Sequence, residues 1–163
     1  HGGSLRVFGC LKSANHDEQI SVSKMLEKEI DSGLQVLETY TGFQRKSLDI
    51  KLEFIKFLVD AKRKGKIVVA YGAAAKGNTL LNFCGLKSDL ISAVFDAAEA
   101  KQGKFLPGSH IPIFAPDQIP NFDPDYVIIL PWNLKREIKT QLSKVLDKNV
   151  RYLTVIPELR EFT

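Results

Sequence analysis

A turn of small residues gives the strongest indication of chemistry in this sequence. It has the spacing Gly72-x-Ala74-x-x-Gly77 and follows a run of apolar, mostly β-branched residues. The dinucleotide fingerprint G-x-G/A-x-x-G/A has this spacing: its first glycine permits a tight turn, its last permits close helix–strand packing, and helix amides receive a phosphate. The methyl group of Ala74 obstructs the closest approach of a pyrophosphate. The turn predicts phosphate binding; the alternative is that small residues merely let a helix pack on a sheet.

The residues around the last glycine exclude one class of phosphate-binding protein. A Walker A loop has lysine after its second glycine, followed by Ser or Thr. Here Lys76 precedes Gly77, and Asn78 and Thr79 follow it, so a P-loop nucleotidase is excluded. We predict instead that Lys76, Asn78 and Thr79 contact a phosphate at the start of the next helix.

An acidic residue follows the next apolar run. Asp96 stands 24 residues after Gly72, and an acid at about this distance commonly accepts hydrogen bonds from ribose hydroxyls. The other interpretation is that Asp96 caps the following turn. Together, the turn and the acid favour a nucleotide-like ligand.

Further candidates follow the third apolar run and occupy a long loop over residues 97–124. Trp132, the only tryptophan, offers a flat stacking face with a single donor. Asn133 either caps the following helix, which is its more common role, or contacts the ligand. Loops of this length are frequently functional, and lysines in them raise the affinity for an anion. The candidates in this loop are Lys101, Lys104, Gly108 and His110. The alternative is that they are solvated loop residues without a role in binding.

The histidines and cysteines show no spacing typical of catalysis or metal binding. They are His1, His16, His110, Cys10 and Cys84. The sequence also has no Ser/His/Asp arrangement and no G-x-S-x-G elbow. We therefore predict no catalytic and no metal-binding residue, and the distant cysteines favour reduced thiols in the cytoplasm.

Strands that alternate with helices position these candidates. Short apolar runs predict buried strands over 67–71, 90–95, 126–130 and 152–156, with a small strand over 111–114. Helices are predicted from Asn78 and over 134–146. The alternation predicts an α/β fold, a Rossmann-like three-layer domain with a mostly parallel sheet, over residues 66–163. In such a sheet ligands bind beyond the carboxyl ends of the strands.

A helical segment over residues 17–65 precedes this domain and is predicted to pack on it. Steps of four, three and four indicate one apolar helix face, formed by Leu48, Leu52, Ile55 and Val59. Gly33 and Gly42 interrupt the segment, so we predict a helical hairpin or one long bent helix. Cations followed by Gly65 indicate its end. Before it, residues 4–11 predict a short, isolated strand.

Composition and charge exclude other classes of protein. The 163 residues are 44% apolar and 26% charged, which suits a globular core and excludes disorder. No apolar run approaches the roughly 20 residues of a membrane span. The net charge of +4 comes from 23 basic and 19 acidic residues, a balance that predicts no nucleic-acid partner. We expect no membrane partner and a cytoplasmic location. Because the chain begins with His1, we interpret its start as a cut through a longer polypeptide.

Several blocks of the sequence are similar to one known family. The chain resembles the C-terminal domain of SAM-dependent C-methyltransferases that act on nucleotide-linked deoxysugars and related substrates. The matching blocks are 1–6 (HGGSLR), 71–82 (YGAAAKGNTLLN), 101–104 (KQGK), 107–113 (PGSHIPI), 130–134 (LPWNL) and 157–158 (PE). The resemblance runs nearly from end to end, and the blocks at 71–82 and 130–134 are specific in combination.

The resemblance implies a division of labour within a longer enzyme. Family members have a cysteine-rich zinc module, a central SAM-binding methyltransferase domain and this Rossmann-like domain, which helps to hold the nucleotide sugar. SAM and the catalytic residues would then belong to the absent parts, and residues 1–16 would be the trailing strand and linker of the methyltransferase domain. In the complete enzyme a proton is removed beside a sugar carbonyl and a methyl group is transferred to that carbon.

Two other classes of function remain open from the sequence. One is a small NAD(P)- or CoA-type binding protein that uses the same turn; Ala74 and the count of only about four strands stand against it. The other is a structural domain that docks against partner domains through the helices of residues 17–64.

Overall fold

The computed structural model describes residues 4–147 and 149–162. The chain divides into two compact units, His1–Ser47 and Leu48–Thr163. The second unit contains the predicted α/β domain. None of the described helices combines the length and the apolar content needed to cross a membrane.

The first unit is helical after residues 4–19, which form no helix or strand. Helix α1 spans Ile20–Asp31, helix α2 spans Glu38–Thr41, and helix α3 begins at Phe43. The predicted interruptions are confirmed, because Gly33 has a φ of +72° directly after α1 and Gly42 separates α2 from α3. The predicted bent helix is therefore the succession of α2 and α3.

The predicted strand over residues 4–11 is wrong. These residues form no strand, and Val7 and Phe8 are 78% and 84% exposed. A strand needs a neighbour to accept and donate its backbone hydrogen bonds, and residues 4–11 have none among the described residues. Residues 1–3 of the expected trailing strand lie outside the described residues.

The second unit is built on a six-stranded sheet with the order β3-β2-β1-β4-β5-β6. The strands are β1 (Val68–Tyr71), β2 (Val94–Phe95), β3 (Ile113–Phe114), β4 (Tyr126–Ile129), β5 (Arg151–Thr154) and β6 (Arg160–Phe162). Strands β1 to β5 are parallel, and β6 pairs antiparallel with β5. The prediction of a mostly parallel sheet is confirmed, but the count of about four strands is wrong. Strand β6 escaped prediction because Arg160-Glu161-Phe162 has no apolar run.

Helices cover both faces of this sheet and make three layers. On one face, α3 (Phe43–Arg63) and α4 (Ala75–Cys84) bury Leu58 and Leu81 against strand residues such as Ala70. On the other, α5 (Lys135–Leu142) buries Ile138 and Leu142. The strands are buried on both sides, which explains why their sequences are continuous apolar runs.

Of the predicted apolar face of α3, Ile55 packs against the core, but the buried residues of the helix belong to a different face. Leu48 and Leu52 are 41% and 63% exposed, while Phe54, Leu58 and Ala61 are buried in the core. Both sets have helical spacing, so periodicity alone does not identify the buried one. The predicted helix end is confirmed: the main-chain N–H groups of Gly65 and Lys66 donate to the carbonyls of Lys62 and Ala61, and Gly65 has a φ of +67°.

Candidate functional site

The order in which the chain adds strands to the sheet reverses between β1 and β4, and the crevice described here lies at the carboxyl ends of these two strands. The chain proceeds from β1 outward to β2 and β3 on one side, and then from β4 to β5 and β6 on the other. Connections from two neighbouring parallel strands therefore leave to opposite faces, α4 to one and α5 to the other. Ligands of open α/β sheets bind at such a switch point, outside the carboxyl ends of the strands.

The turn after β1 requires glycine at both of its fingerprint positions. Gly72 has a φ of +97°, and a Cβ atom there would lie 2.5 Å from ring atoms of Pro131. A Cβ atom on Gly77 would lie 2.7 Å from the Cβ atom of Leu130, the residue that follows β4. The predicted role of the last glycine, close helix–strand packing, is confirmed.

Helix α4 starts at Ala75, three residues before the predicted Asn78. Ala74 is its N-cap, with φ −106° and ψ 160°, and has no side chain that caps the helix. The first main-chain donor to find a helical acceptor is Asn78, whose N–H donates to the Ala74 carbonyl at 2.9 Å. Within the described ranges, the N–H groups of residues 75–77 have no acceptor. Unpaired N–H groups and the helix dipole together favour an anion at this end.

Lys76, Trp132 and Asn133 meet at this end of the helix. The Nζ atom of Lys76 lies 4.4 Å from the centroid of the Trp132 ring and donates to Oδ1 of Asn133 at 3.3 Å. The cation–π contact and the hydrogen bond hold the ammonium group beside the turn. A shallow hollow of about 440 Å³ lies next to them, lined by residues 132–137.

The helix-capping role predicted for Asn133 is wrong. Residues 132–134 form a short 3₁₀ turn, and the N-cap of α5 is Leu134, without a side-chain hydrogen bond. Because the chain makes this extra turn before α5, the Asn133 side chain accepts a hydrogen bond from Lys76 instead.

The carboxylate of Asp96 is engaged by protein donors. Its Oδ2 atom accepts from the N–H of Ala73 at 2.7 Å and from Nζ of Lys101 at 3.0 Å, and its Oδ1 atom accepts from the N–H of Ala98 at 2.8 Å. Asp96 is 8% exposed. The capping interpretation agrees with these bonds, which tie the end of β2 to the turn after β1. A contact with ribose stays a prediction.

A buried tyrosine adds no charge to this edge of the sheet. Burial, with smaller contributions from the carboxylates of Asp96 and Glu137, raises the pKa of Tyr71 at the end of β1. Its phenol is therefore protonated at neutral pH and brings no negative charge to the end of β1.

The remaining predicted residues contact other partners than Lys76, Trp132 and Asn133. Lys101 reaches the turn through Asp96, whereas Nζ of Lys104 donates to the carbonyl of Ala100 at 2.6 Å. The ring of His110 stacks on Phe105, with centroids 4.3 Å apart. Thr79 donates back to the carbonyl of Ala75, one turn earlier in α4.

Asn82 is a residue that the sequence did not identify, and it connects α4 to the long loop. Its Nδ2 atom donates to the Pro107 carbonyl at 2.9 Å and to Oδ1 of Asn78 at 3.2 Å. Gly108, with a φ of +78°, leaves room for the Asn82 amide, which a Cβ atom at Gly108 would overlap. Asn78 and Asn82 are one helical turn apart, and this spacing would have indicated the contact between their two side-chain amides.

No group of three or more His, Cys, Asp or Glu residues in ranges 4–147 and 149–162 is placed to hold a metal ion. The two thiols of the chain are free; Cys10 is exposed and Cys84 is buried. The site is therefore described by its backbone donors, one lysine, one indole and one amide.

Comparisons with known proteins give one family and one relative. The family described as C-methyltransferase C-terminal domain matches residues 1–157. The chain is also 36% identical, over 160 residues, to a protein of Streptomyces niveus named C-methyltransferase NovU. That alignment covers 98% of this chain and 38% of the relative, so the chain spans about two fifths of the length of the curated relative.

Proposed function

This chain belongs to the C-methyltransferase C-terminal domain family, and from that membership we propose that it binds the substrate of a SAM-dependent C-methyltransferase. The proposed substrate is a nucleotide-sugar-like molecule, and the methyl group is transferred to carbon by a methyltransferase domain outside these residues. The chain itself contributes binding and orientation. Because it covers 38% of its relative, the activity of the whole enzyme is part of the proposal.

One observation carries the proposal: free helix amides and a fixed lysine share the crevice at the switch point of the sheet. The N–H groups of residues 75–77 lack acceptors among the described residues, and Nζ of Lys76 is held by Trp132 and Asn133. A diphosphate is the part of a nucleotide sugar that matches this arrangement, because it offers several anionic oxygens to N–H donors and an ammonium group.

The residues around the amides have supporting roles in this proposal. Gly72 and Gly77 allow the turn and the packing that present the amides, and Asp96 fixes the turn through Ala73. The methyl group of Ala74 sets the distance of closest approach. The other proposed contacts, to the ribose, base or sugar, come from Asn78, Thr79, Lys101, Lys104, Gly108 and His110.

Binding at this crevice supports catalysis by orientation. A diphosphate held by the turn fixes one end of the substrate, so the sugar is presented to the methyltransferase domain in a limited set of positions. Effective concentration and alignment of reacting atoms contribute strongly to rate, and small displacements reduce it. The residues described here hold the substrate and do not transfer the methyl group in this proposal.

S-adenosylmethionine, the methyl donor implied by the family resemblance, matches this crevice less well than a diphosphate does, because it has no phosphate group for the free helix amides. The acid that would hold its ribose in a Rossmann-type site is Asp96, and both oxygens of its carboxylate already accept hydrogen bonds from protein donors. We therefore place SAM in the methyltransferase domain outside this chain, and no step of the reaction is derived through it.

Fluorescence of Trp132 tests the proposal directly. The chain has one tryptophan, and its ring lies 4.4 Å from Nζ of Lys76, so the emission reports on this crevice alone. Titration with thymidine diphosphate is expected to give a saturable change in emission. Lys76→Met is expected to weaken binding by about tenfold, the loss of one charge-assisted hydrogen bond. The matched control is Lys64→Met. It removes the same charge from a lysine that follows α3 and precedes β1, at the amino ends of the strands and away from the crevice.

Two results would contradict the proposal. One is the absence of any saturable change at millimolar thymidine diphosphate; the other is equal weakening by Lys76→Met and Lys64→Met. Lys104→Met in the same titration tests the long loop: an unchanged affinity would remove Lys104 from the site without affecting the role of the helix amides.

A second candidate function is NAD(P) binding, and the strand order favours it. The order β3-β2-β1-β4-β5-β6 is that of dinucleotide-binding domains. With six strands in the sheet, the number of strands does not count against dinucleotide binding. The methyl group at Ala74 and the engaged carboxylate of Asp96 remain unfavourable to a dinucleotide. Titration with NAD⁺ separates the candidates: tighter binding of NAD⁺ than of thymidine diphosphate would favour the second.

The helices of the first unit supply the surface for the proposed methyltransferase domain. Helix α1 has no buried residue, and its apolar side chains Leu26 and Ile30 are 52% and 54% exposed. Apolar patches of this kind mark protein interfaces.

We place the protein in the cytoplasm, which is consistent with the two free thiols.

A further inference from the structure

The side chain of Tyr71, the last residue of β1, is buried at the carboxyl edge of the sheet. It is 9% exposed and belongs to the hydrophobic cluster of Phe95 and Ile138, on the face of the sheet that α5 covers. Tyr71 also lies opposite Phe95 in the register of β1 and β2. Because Asp96 follows Phe95 and Glu137 precedes Ile138, the elements around this side chain carry two acids.

The hydroxyl of Tyr71 is unpaired but not enclosed. Of the four tyrosines, only Tyr40 forms a hydrogen bond through its hydroxyl among the described residues. The unpaired hydroxyl of Tyr152 is sealed within the protein, whereas that of Tyr71 is not. The small exposed part of Tyr71 therefore includes its hydroxyl oxygen, which a ligand can reach. A mostly buried polar group without a protein partner indicates a partner from outside the chain.

This hydroxyl is available as a hydrogen-bond donor. Burial is the largest cause of the raised pKa of Tyr71, and the carboxylates of Asp96 and Glu137 add to it. The phenol therefore keeps its proton at neutral pH and can donate it to an acceptor. Both carboxylates are near enough for their charges to act on the hydroxyl.

The two carboxylates differ in what they can still bind. Asp96 already accepts hydrogen bonds from three protein donors. Glu137 stands exposed in the first turn of α5. Within ranges 4–147 and 149–162, its carboxylate accepts no hydrogen bond and has no cation within 4.0 Å. Glu137 is therefore the acceptor near Tyr71 that the protein leaves free.

Glu137 borders the same hollow as the lysine of the candidate site. Glu137 and Trp132 both line the hollow of about 440 Å³, and Nζ of Lys76 lies 4.4 Å from the centroid of the Trp132 ring. Tyr71 directly precedes the turn that begins with Gly72. A ring attached to a diphosphate at the start of α4 would therefore be near Tyr71 and Glu137. Because Lys76 occupies a face of the indole, the contacts available to that ring here are hydrogen bonds rather than stacking.

A phenol that donates near a carboxylate that accepts matches the hydroxyl groups of a sugar ring. Each hydroxyl group both accepts and donates a hydrogen bond, and a sugar ring carries several of them. A phosphate is unfavourable at this place, because the unpaired negative charge of Glu137 repels an anion. The crevice thus has a positive part at the start of α4 and a part for neutral hydroxyl groups near Tyr71.

We propose that Tyr71 and Glu137 bind hydroxyl groups of the ring next to the diphosphate, Tyr71 as donor and Glu137 as acceptor. This role rests on the proposed function, because it needs a nucleotide-sugar-like substrate in the crevice. It makes both residues determinants of specificity for a hydroxylated ring. A nucleotide sugar offers the same chemistry on either side of its diphosphate, from the ribose and from the sugar.

Titration of the 163-residue chain with three probes, followed by Trp132 fluorescence, tests this role. The probes are pyrophosphate, thymidine diphosphate and thymidine diphosphate glucose, which add first the nucleoside and then a hexose. Tyr71→Phe is expected to bind pyrophosphate as the wild type does and to bind a ring-bearing probe about fivefold more weakly, the loss of one neutral hydrogen bond. Glu137→Met is expected to lose about tenfold for the same probe, because its hydrogen bond is charge-assisted.

The probes also identify which ring is bound. Weaker binding of thymidine diphosphate glucose alone assigns the hydroxyl groups to the sugar, and equal weakening of both nucleotides assigns them to the ribose. Two matched controls are expected to leave all three affinities unchanged. Tyr126→Phe removes a hydroxyl at the amino end of β4, and Glu53→Met removes an exposed carboxylate from α3, on the other face of the sheet.

Two results would overturn the role of Tyr71 while the proposed function stands. One is a Tyr71→Phe protein that binds all three probes as the wild type does; the other is one that loses affinity for pyrophosphate as much as for the nucleotides. Because the hydroxyl has no protein partner, Tyr71→Phe is also expected to keep the urea midpoint of the wild type. A lowered midpoint would show a structural role instead. A wild-type chain that binds none of the probes would overturn the proposed function, and this role with it.

Discussion

Substitution of Ala74 by aspartate is expected to stabilise the protein and to weaken its affinity for a diphosphate. Ala74 is the N-cap of α4, has the extended backbone of a helix cap, and supplies no side-chain acceptor. The N–H groups of residues 75–77 have no acceptor within the described part of the chain. An aspartate at position 74 would accept hydrogen bonds from those groups, and it would therefore occupy the place proposed for the phosphate.

The size of both effects follows from the helix end. Replacing alanine by aspartate at an N-cap is worth about 0.5–2 kcal/mol, and the added negative charge at the helix dipole about 0.3–1 kcal/mol. At a typical slope of about 2 kcal/mol per molar urea, the summed gain of about 0.8–3 kcal/mol raises the urea midpoint by about 0.4–1.5 M. Each charge-assisted hydrogen bond lost to the ligand costs about 1.5–3 kcal/mol. The affinity for thymidine diphosphate is therefore expected to fall by about ten- to a hundred-fold.

Urea unfolding and Trp132 fluorescence measure the two effects on the same samples. Ser92→Asp is the matched control, because it adds the same charge at an exposed position whose N–H donates to Val68, at the amino end of β1. We expect that variant to change neither quantity. Ala74→Ser caps the helix without a charge and separates occupation of the amides from electrostatic repulsion.

Measuring both effects distinguishes two properties of the helix amides: whether they are free, and whether they hold the diphosphate. A stabilised Ala74→Asp protein with unchanged affinity would show that the amides are free but do not hold the diphosphate. An Ala74→Asp protein with neither effect would show that the amides are already satisfied, and the physical basis of the proposed site would be refuted.

Three further predictions concern packing and titration. Gly77→Ala is expected to destabilise the protein by about 1–2 kcal/mol in urea unfolding, because overpacking against Leu130 outweighs the gain in helix propensity; a stabilised variant would contradict the close packing. Asp125→Asn is expected to lose about 1 kcal/mol at pH 7, because its carboxylate accepts hydrogen bonds from a lysine and from the N–H of Ile67, which lower its pKa. Because the folded pKa is lowered, this stabilisation is complete above the unfolded pKa of about 4, declines as the pH falls below it and vanishes below the folded pKa. A difference that is undiminished in acid would refute the assignment. Burial raises the pKa of Cys84 to about 11, so iodoacetamide should modify this thiol at pH 8 only after unfolding, as mass spectrometry would show.

The sheet was predictable because its main strands are determined by local composition. Val68–Tyr71 and Tyr126–Ile129 lie within apolar runs that have no helical period, and a strand buried on both faces needs such a run. Strand β6 was not predictable, because Arg160–Phe162 is an exposed edge whose pairing depends on β5. The buried face of α3 was also not predictable, since two apolar stripes have the same spacing and only packing on the sheet selects one.

The residues of the candidate site divide in the same way. The turn at Gly72–Gly77 was readable from its spacing, because its glycines respond to local needs: a φ of +97° and a close neighbour. The partners of Asp96 were not readable. Its carboxylate accepts from Ala73, 23 residues away, and from Lys101, and neither contact leaves a pattern in the sequence.

The sequence by itself determines the alternation of strands and helices, the phosphate-type turn and the position of a tryptophan at the end of a strand. Those features depend on backbone preferences and burial within a few neighbouring residues. The tertiary structure alone decided that Lys76 contacts Trp132 and Asn133, the latter 57 residues away in sequence. That contact exists because β1 and β4 are neighbours in register, with Tyr71 opposite Ile129. Strand order and register are set by the free energy of the whole packed sheet, so no local stretch of sequence determines them.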